Sequence, residues 1–281
     1  MILKKIVLFS LCLVFIFQSS SQDRDIKGKL FIIGGGSRPV AMVDRMVKES
    51  GIDKGGYGIV LPMSSSEPDT SAYYATNQFY KLGVGNVYGL NFVKDEKLKV
   101  SKLDSIRNAK LIYISGGDQN RFMAVVAGTE IETLILEAYK KGALIAGTSA
   151  GAAVMSKMMI TGSELKHLDY ASTFRNIESE NIEIKTGLGL ISNIIVDQHF
   201  VKRSRYNRLL SAVIEHPELV GVGIDESTAL LVSGKNMEVI GESQVIIFKN
   251  PDQSKNIFND KLGAQGIIMN LYLPGETFTI E

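Results

Sequence analysis

The residue most suited to chemistry in this chain is a serine in a turn of small residues. Ser149 is the centre of Gly-Thr-Ser-Ala-Gly at 147–151, which directly follows the apolar run Leu144–Ala146. An apolar run that enters Gly-x-Ser-x-Gly and continues into small residues predicts a strand, a tight turn and a helix, as in a nucleophile elbow. The Ala150 N–H at the start of that helix is then a candidate oxyanion donor. Because the motif alone is common, its partners must decide whether the serine is a nucleophile.

A serine nucleophile needs a general base, and the chain contains three histidines. His199 ends the run 194–199, where a predicted strand reaches its carboxyl end, and is the favoured base. His216 is more typical of a residue that ends a helix, and His167 lies in a polar connection and stays open as an alternative.

The base must in turn be held in one tautomer by a hydrogen-bond acceptor. Asp225 and Glu226 follow the predicted strand Val220–Ile224, which ends at the same edge as the strand before His199. Either carboxylate suits the role, although paired acids in turns are more often simply solvated.

The stretch around His199 is rich in hydrogen-bonding side chains on a predicted helix over Phe200–Glu215. Forked arginine donors next to the base favour recognition of substrate carboxylates, and the alternative is a solvated helix face with ordinary ion pairs. The side chains concerned are Asp197, Gln198, Lys202, Arg203, Arg205 and Arg208.

Short apolar strands alternate with amphipathic segments along most of the chain and often end in glycine-rich turns. This pattern predicts an α/β fold with a mostly parallel, doubly wound sheet that is covered by helices on both faces, with additional short C-terminal strands. Right-handed crossovers bring the turns at 34–36, 116–119 and 147–151 to one edge, where open α/β sheets bind ligands.

The first 22 residues differ in kind from the rest. Lys4 and Lys5 precede an apolar stretch too short to span a bilayer comfortably, and small polar residues follow it. This is typical of a cleaved Sec-type signal peptide, with an uncleaved membrane anchor as the alternative. We therefore expect a secreted or periplasmic protein, a single domain over 23–281 and no stable membrane association after cleavage. Cys12 is the only cysteine, so the mature chain would contain no thiol.

The overall charge is nearly neutral, so any electrostatic recognition must be local. The 281 residues include 31 Lys and Arg against 30 Asp and Glu, and no nucleic-acid partner is expected. The sequence does not report the oligomeric state, and a homodimer is compatible with it.

Taken together, the chain resembles the cyanophycinase and peptidase E group of serine peptidases, whose fold is related to class I glutamine amidotransferases. Peptidase E lacks the arginine-rich stretch after the histidine, so the cyanophycinase branch is the closer one. The shared motifs are Ile-Ile-Gly-Gly-Gly at 32–36, Ser-Gly-Gly-Asp-Gln at 115–119, Gly-Thr-Ser-Ala-Gly-Ala at 147–152, Asp-Gln-His-Phe at 197–200 with Arg203, Arg205, Arg208 and Leu209, and Gly-Ile-Asp-Glu-Ser-Thr-Ala at 223–229.

The resemblance assigns roles to these residues. It implies Ser149 as nucleophile, His199 as base and Glu226 as the acid that orients the base, with the N–H groups of Gly117 and Ala150 as the oxyanion hole. It implies no metal or organic cofactor. The implied substrate-binding residues are Gln119, Asp197, Gln198, Arg203, Arg205 and Arg208. One departure from the family is Ser204, where glycine is usual.

The expected activity is that of an exported serine exopeptidase that hydrolyses cyanophycin to β-Asp-Arg dipeptides. Cyanophycin is a poly-aspartate backbone that carries an arginine on each β-carboxyl group. The alternatives are a peptidase E-like aspartyl or isoaspartyl dipeptidase and a non-catalytic binding protein on the same fold. An α/β-hydrolase-type esterase would instead need His216, the last histidine, as its base.

Overall fold

The computed structural model describes residues 26–169 and 172–280, so the predicted signal peptide lies outside the described residues. The helices of this part of the chain are α1 (Val40–Ser50), α2 (Pro68–Tyr80), α3 (Val100–Arg107), α4 (Gln119–Val126), α5 (Glu130–Lys141), α6 (Ala150–Ala153) and α7 (Tyr206–Glu215). Its strands are β1 (Lys29–Ile33), β2 (Gly58–Leu61), β3 (Val87–Gly89), β4 (Leu111–Ile114), β5 (Leu144–Thr148), β6 (Met158–Glu164), β7 (Ile182–Thr186), β8 (Ile194–Gln198), β9 (Val220–Ile224), β10 (Thr228–Ser233), β11 (Asn236–Gly241), β12 (Val245–Lys249), β13 (Asn256–Phe258), β14 (Lys261–Gly263), β15 (Ile268–Tyr272) and β16 (Thr277–Thr279). None of the described helices is both long and apolar enough to cross a bilayer.

The main sheet has eight strands in the order β16-β11-β10-β1-β5-β4-β2-β3. The first five strands of the chain pair in parallel, and β10, β11 and β16 extend one edge with antiparallel pairs. This confirms the predicted α/β class with a mostly parallel sheet and extra C-terminal strands.

Both faces of the main sheet are buried, because successive side chains of its strands point to opposite sides. In β1, Phe31 and Ile33 pack with residues of α1 and α2 on one face. Leu30 and Ile32 join a larger cluster on the other face, which includes Phe122 of α4. The strands are apolar throughout for this reason, as expected for a sheet with two covered faces.

A second sheet, in the order β15-β12-β9-β8, packs against the larger cluster and was not predicted separately from the sequence. Its strands β8 and β9 are parallel, and β12 and β15 pair antiparallel to them. Helix α7 covers its far side, where Leu209 and Val213 pack with Ile246. The parallel strands that the sequence assigned to one sheet are thus divided between two.

The helix predicted over Phe200–Glu215 begins only at Tyr206, because the backbone before it leaves the helical region. His199 and Ser204 have φ angles of 50° and 48°, and the residues between them form turns. Residues other than glycine rarely adopt this left-handed backbone conformation. The φ of Ser204 therefore gives a physical reason why glycine would suit that position.

Helix α4 is not predicted by the sequence pattern. Asp118 caps it, because its carboxylate accepts hydrogen bonds from the backbone N–H groups of Asn120 and Arg121. The cap places Gln119 on the first turn of α4, directly after the loop that follows β4.

Candidate active site

The loop after β1 holds the segments that carry the candidate catalytic residues. The last carbonyl of β1 and the first two of this loop accept backbone hydrogen bonds from three other loops: Ile33 O from Ser149 N at 3.0 Å, Gly34 O from His199 N at 2.7 Å, and Gly35 O from Ser227 N at 2.9 Å. Ser149 follows β5 in the main sheet, whereas His199 follows β8 in the second sheet. One short loop thus aligns the carboxyl ends of strands from both sheets.

Ser149, His199 and Glu226 form a continuous chain of contacts. Ser149 Oγ lies 2.9 Å from His199 Nε2, and Glu226 Oε1 lies 2.7 Å from His199 Nδ1. Ser149 has a φ of 54°, an unusual value for a residue with a side chain and one that fits the sharp turn of a nucleophile elbow. The imidazole is therefore positioned to accept the serine proton while a carboxylate holds its other nitrogen.

The other acid and the other histidines have different partners. Asp225 accepts hydrogen bonds from the Lys202 N–H at 2.9 Å and from the Ser243 hydroxyl at 2.7 Å. His167 Nε2 lies 2.6 Å from a carboxylate oxygen of Glu178. His216 ends α7, with Glu218 at 3.8 Å. Among the described residues that the sequence left open as base or orienting acid, only His199 and Glu226 belong to the series of contacts that reaches Ser149.

Burial lowers the pKa of His199 below its ordinary value of 6.5. The hydrogen bond with Glu226 opposes this effect and raises the pKa, whereas the positive charges of Arg203 and Arg205 lower it. The result is an imidazole that stays neutral at neutral pH, as a general base must.

Two backbone N–H groups near Ser149 are free to donate. Among the described residues, neither Gly117 N nor Ala150 N donates a hydrogen bond to the protein. Gly117 has a φ of 140°, and a Cβ at this position would lie 2.2 Å from Ser64 O, so only glycine fits there. The loop is fixed by a hydrogen bond from Asp118 N to Ser64 O at 2.8 Å. The Gly117 and Ala150 N–H groups are thus available to an oxyanion.

Four of the predicted substrate-binding side chains form a buried cluster next to His199. Arg208 donates two hydrogen bonds to Asp197, of which Nε to Oδ2 measures 2.8 Å. Arg205 Nη1 donates to the backbone oxygen and to Oε1 of Gln198, both at 2.7 Å. Two guanidinium groups share one carboxylate, so the cluster carries a net positive charge.

The remaining two predicted substrate-binding residues differ in exposure. Gln119 is buried and donates its Nε2 to the carbonyl groups of Ile160 and Thr161. A Cβ at Gly162 would lie 3.4 Å from Arg208 Nη1 and 3.8 Å from Gln119 Nε2, so both donors border the space at that glycine. Arg203 is half-buried and lies in the turn between His199 and α7.

A further group of polar residues, which the sequence pattern does not predict, lines a cavity next to Ser149. A cavity of about 350 Å³ is lined by Arg38, Tyr113 and Thr148 together with Ser149 and His199. Tyr113 is the only polar side chain within the strand Leu111–Ile114, a signal that could have drawn attention to it.

Here a serine hydroxyl contacts an imidazole whose other nitrogen is held by a carboxylate, at the carboxyl ends of strands in an α/β fold. This is the arrangement of a serine-type hydrolase. The comparisons with known proteins agree. A model described as Peptidase family S51 matches residues 32–240. A cyanophycinase of a Nostoc species is 33% identical over 227 residues, covering 79% of this chain and 73% of the relative. A cyanophycinase of Geminocystis herdmanii is 35% identical over 192 residues, with 67% of each chain covered.

A solved structure shares the fold. The crystal structure of a peptidase from an acI-B1 Actinobacterium superposes with a TM-score of 0.65 at 21% identity, covering 91% of this chain and 98% of the other. The chain belongs to peptidase family S51 and is a serine-type peptidase, which confirms the resemblance to the cyanophycinase and peptidase E group.

Proposed function

We propose that this protein is an exported exopeptidase that hydrolyses cyanophycin, multi-L-arginyl-poly-L-aspartate, to β-Asp-Arg dipeptides. The observation that carries the proposal is the contact chain from Glu226 through His199 to Ser149. The substrate is suggested by the relatives named cyanophycinase. No metal or organic cofactor takes part in the proposed reaction.

The proposed reaction is acyl transfer through Ser149. His199 Nε2 accepts the hydroxyl proton as Oγ attacks the scissile carbonyl, while the N–H groups of Gly117 and Ala150 stabilise the oxyanion. His199 then gives its proton to the leaving nitrogen, and the C–N bond breaks to leave an acyl-enzyme. Water attacks the ester after losing a proton to His199, which returns the proton to Oγ as the acid product leaves. Glu226 holds the imidazole in the required tautomer and stabilises its protonated form.

The buried cluster supports an anionic substrate. Each cyanophycin unit carries the free α-carboxylate of its arginine, and a site with excess guanidinium groups favours such a group. Of the six proposed binding residues, Arg208 presents its Nη1 donor toward the space at Gly162, which Gln119 also borders while its own Nε2 donates to Ile160 and Thr161. Arg203 is the more exposed of the three arginines. In this proposal Asp197, Gln198 and Arg205 act mainly by holding these donors in place.

Residues 1–22 act as a cleaved signal peptide, and residues 23–281 form one peptidase domain in a secreted or periplasmic protein. The basic, apolar and small-residue pattern of the N-terminus supports export. Degradation of polymer outside the cytoplasm would then be the physiological task.

The test is incubation of purified residues 23–281 with purified cyanophycin, followed by mass spectrometry of the products. We expect β-Asp-Arg from the natural protein and none from the variant Ser149→Ala. Hydrolysis of Asp-X or isoaspartyl dipeptides without release of β-Asp-Arg would instead indicate a peptidase E-like enzyme. Failure of Ser149 to react with a serine-directed acylating reagent, with no hydrolysis of any of these substrates, would indicate a non-catalytic binding protein.

A further inference from the structure

The cavity next to Ser149 lies on the opposite side of the main sheet from α4. Tyr113 belongs to the core between the sheet and helices α1 and α2, whereas Phe122 of α4 packs on the other face. The cavity of about 350 Å³ is therefore distinct from the space at Gly162, which is bordered by Gln119 of α4 and by Arg208. Ser149 and His199 line the cavity directly, so it borders the reaction centre.

The floor of this cavity carries buried hydroxyl groups that have no hydrogen-bond partner. Tyr113 is 1% exposed and Thr148 is 7% exposed, and both line the cavity. Gln78 and Thr148 lie beside the Tyr113 hydroxyl, yet none of Tyr113 OH, Thr148 Oγ1 and the buried Nε2 of Gln78 makes a hydrogen bond of acceptable geometry. Unpaired buried polar groups are costly, so three close together at a reaction centre indicate a place for a polar ligand group.

Arg38 supplies a positive charge to the same cavity. Its Nε donates to Gln78 Oε1 at 2.6 Å, and its Nη1 donates to Gly36 O at 3.2 Å. The Gln78 oxygen accepts from Arg38, and the Gln78 amide nitrogen, which can only donate, lies beside the Tyr113 hydroxyl. None of the residues that line the cavity is acidic.

Burial raises the pKa of the Tyr113 hydroxyl, and the smaller effect of the nearby Arg38 charge lowers it. The hydroxyl therefore stays protonated near neutral pH and can donate. A guanidinium, an amide nitrogen and two hydroxyl groups form a set of donors that matches a carboxylate.

The position of the cavity relates it to the leaving group. The imidazole that lines it gives a proton to the leaving nitrogen, whereas neither proposed oxyanion donor, Gly117 or Ala150, is among its lining residues. In an α-linked peptide, the carboxyl group of the leaving residue is separated from that nitrogen by one carbon atom. Thr148 lines the same cavity as Ser149 and His199, so the cavity adjoins the place where this carboxyl group would lie.

We propose that Arg38, Gln78, Tyr113 and Thr148 form a subsite for the free α-carboxylate of the leaving residue. The assignment rests on the proposed peptidase function and adds to it the chemistry recognised on the leaving-group side of the scissile bond. It also gives a reason for the buried hydroxyl groups of Tyr113 and Thr148, which make no hydrogen bond of acceptable geometry.

The test compares a short cyanophycin oligomer that ends in a free α-carboxylate with the same oligomer ending in a carboxamide. In the natural protein, kcat/KM for the free acid should exceed that for the carboxamide by about tenfold or more, since charge-assisted hydrogen bonds are lost in the amide. Arg38→Ala and Tyr113→Phe should each reduce this ratio. Arg107→Ala, in an exposed pair with Asp104 on α3, is the matched control and should keep it.

A ratio near one in the natural protein, or one that neither Arg38→Ala nor Tyr113→Phe changes, would overturn the subsite while leaving the proposed function intact. If the natural protein hydrolyses neither oligomer, the proposed function is wrong, and calorimetry with Ser149→Ala decides the subsite separately. Tighter binding of the free acid that is lost in Ser149→Ala/Arg38→Ala would support it. Equal binding of the two oligomers, or binding of neither, would refute it.

Discussion

The Asp197 carboxylate and the Arg208 guanidinium form a two-point ion pair in the interior of the protein. Nε donates to Oδ2 at 2.8 Å and Nη2 donates to Oδ1, and the two side chains are 0% and 3% exposed. The Arg205 guanidinium approaches the same carboxylate at 3.7 Å. Asp197 therefore neutralises part of a charge cluster that lies directly next to the candidate base.

Removal of this carboxylate charge should destabilise the protein strongly. Asp197→Asn leaves two buried guanidinium groups without a counter-charge, and loss of one partner of a buried ion pair typically costs about 3–5 kcal/mol. The free energy of unfolding from urea titration would measure this loss. The double variant Asp197→Leu/Arg208→Met removes both charges and should recover part of the stability. If Asp197→Asn were as stable as the natural protein, the ion pair between Asp197 and Arg208 would be unimportant for folding.

The activity should persist to lower pH than an ordinary histidine would allow. Only neutral His199 can accept the Ser149 proton, so activity is present above its pKa and is lost as the pH falls through it. Since burial lowers this pKa, the acid limb of kcat/KM for a small neutral ester should lie below 6.5. Arg203→Ala removes a positive charge and should move the limb to higher pH. Arg203→Lys keeps the charge and should not, whereas equal shifts in both variants would contradict the electrostatic cause.

The sequence predicted those features that depend on local pattern. Buried parallel strands are recognisable as apolar runs, and a serine between small residues indicates the turn after β5. The sequence left Asp225 and Glu226 as alternatives, because the direction of a side chain from a turn depends on the packing of other loops. In the structure Asp225 accepts a hydrogen bond from Ser243, which lies 18 residues further along, between β11 and β12.

Other features depend on tertiary contacts and could not be predicted. The division into two sheets follows from which strands pair, and short apolar strands do not encode their neighbours. The arginines after His199 were assigned to a helix face, yet Arg205 precedes α7 and turns inward to Gln198. The cavity at Tyr113 was missed for the same reason, since Gln78 and Tyr113 lie in separate elements with no shared motif.

Gly35 should be essential because the imidazole of His199 packs directly on it. A Cβ at this position would lie 2.3 Å from Cε1 and 2.5 Å from Nε2 of His199, and the φ of Gly35 is 113°. Gly35→Ala should therefore displace the base and lower kcat by about 100-fold, as misplacements near 1 Å do. Gly85→Ala is the matched control, since a Cβ there meets nothing within 4 Å. Steady-state kinetics would show whether the loss is confined to Gly35→Ala, and equal effects would contradict the proposed contact.

The roles of the two adjacent acids can be separated by isosteric substitution. Glu226→Gln keeps the shape but removes the charge that stabilises the protonated imidazole, and its amide can donate to Nδ1 and favour the wrong tautomer. We expect kcat to fall by about 10⁴-fold, the effect of the equivalent change in serine proteases. Asp225→Asn weakens only the acceptor for Lys202 N–H and Ser243 Oγ, so it should lower the unfolding midpoint while kcat changes far less. Rates of acyl-enzyme formation and urea titrations on both variants would test this division. A collapse of acylation in Asp225→Asn, with Glu226→Gln nearly unaffected, would reverse the two assignments, because the orienting carboxylate must be the one whose charge the protonated His199 requires.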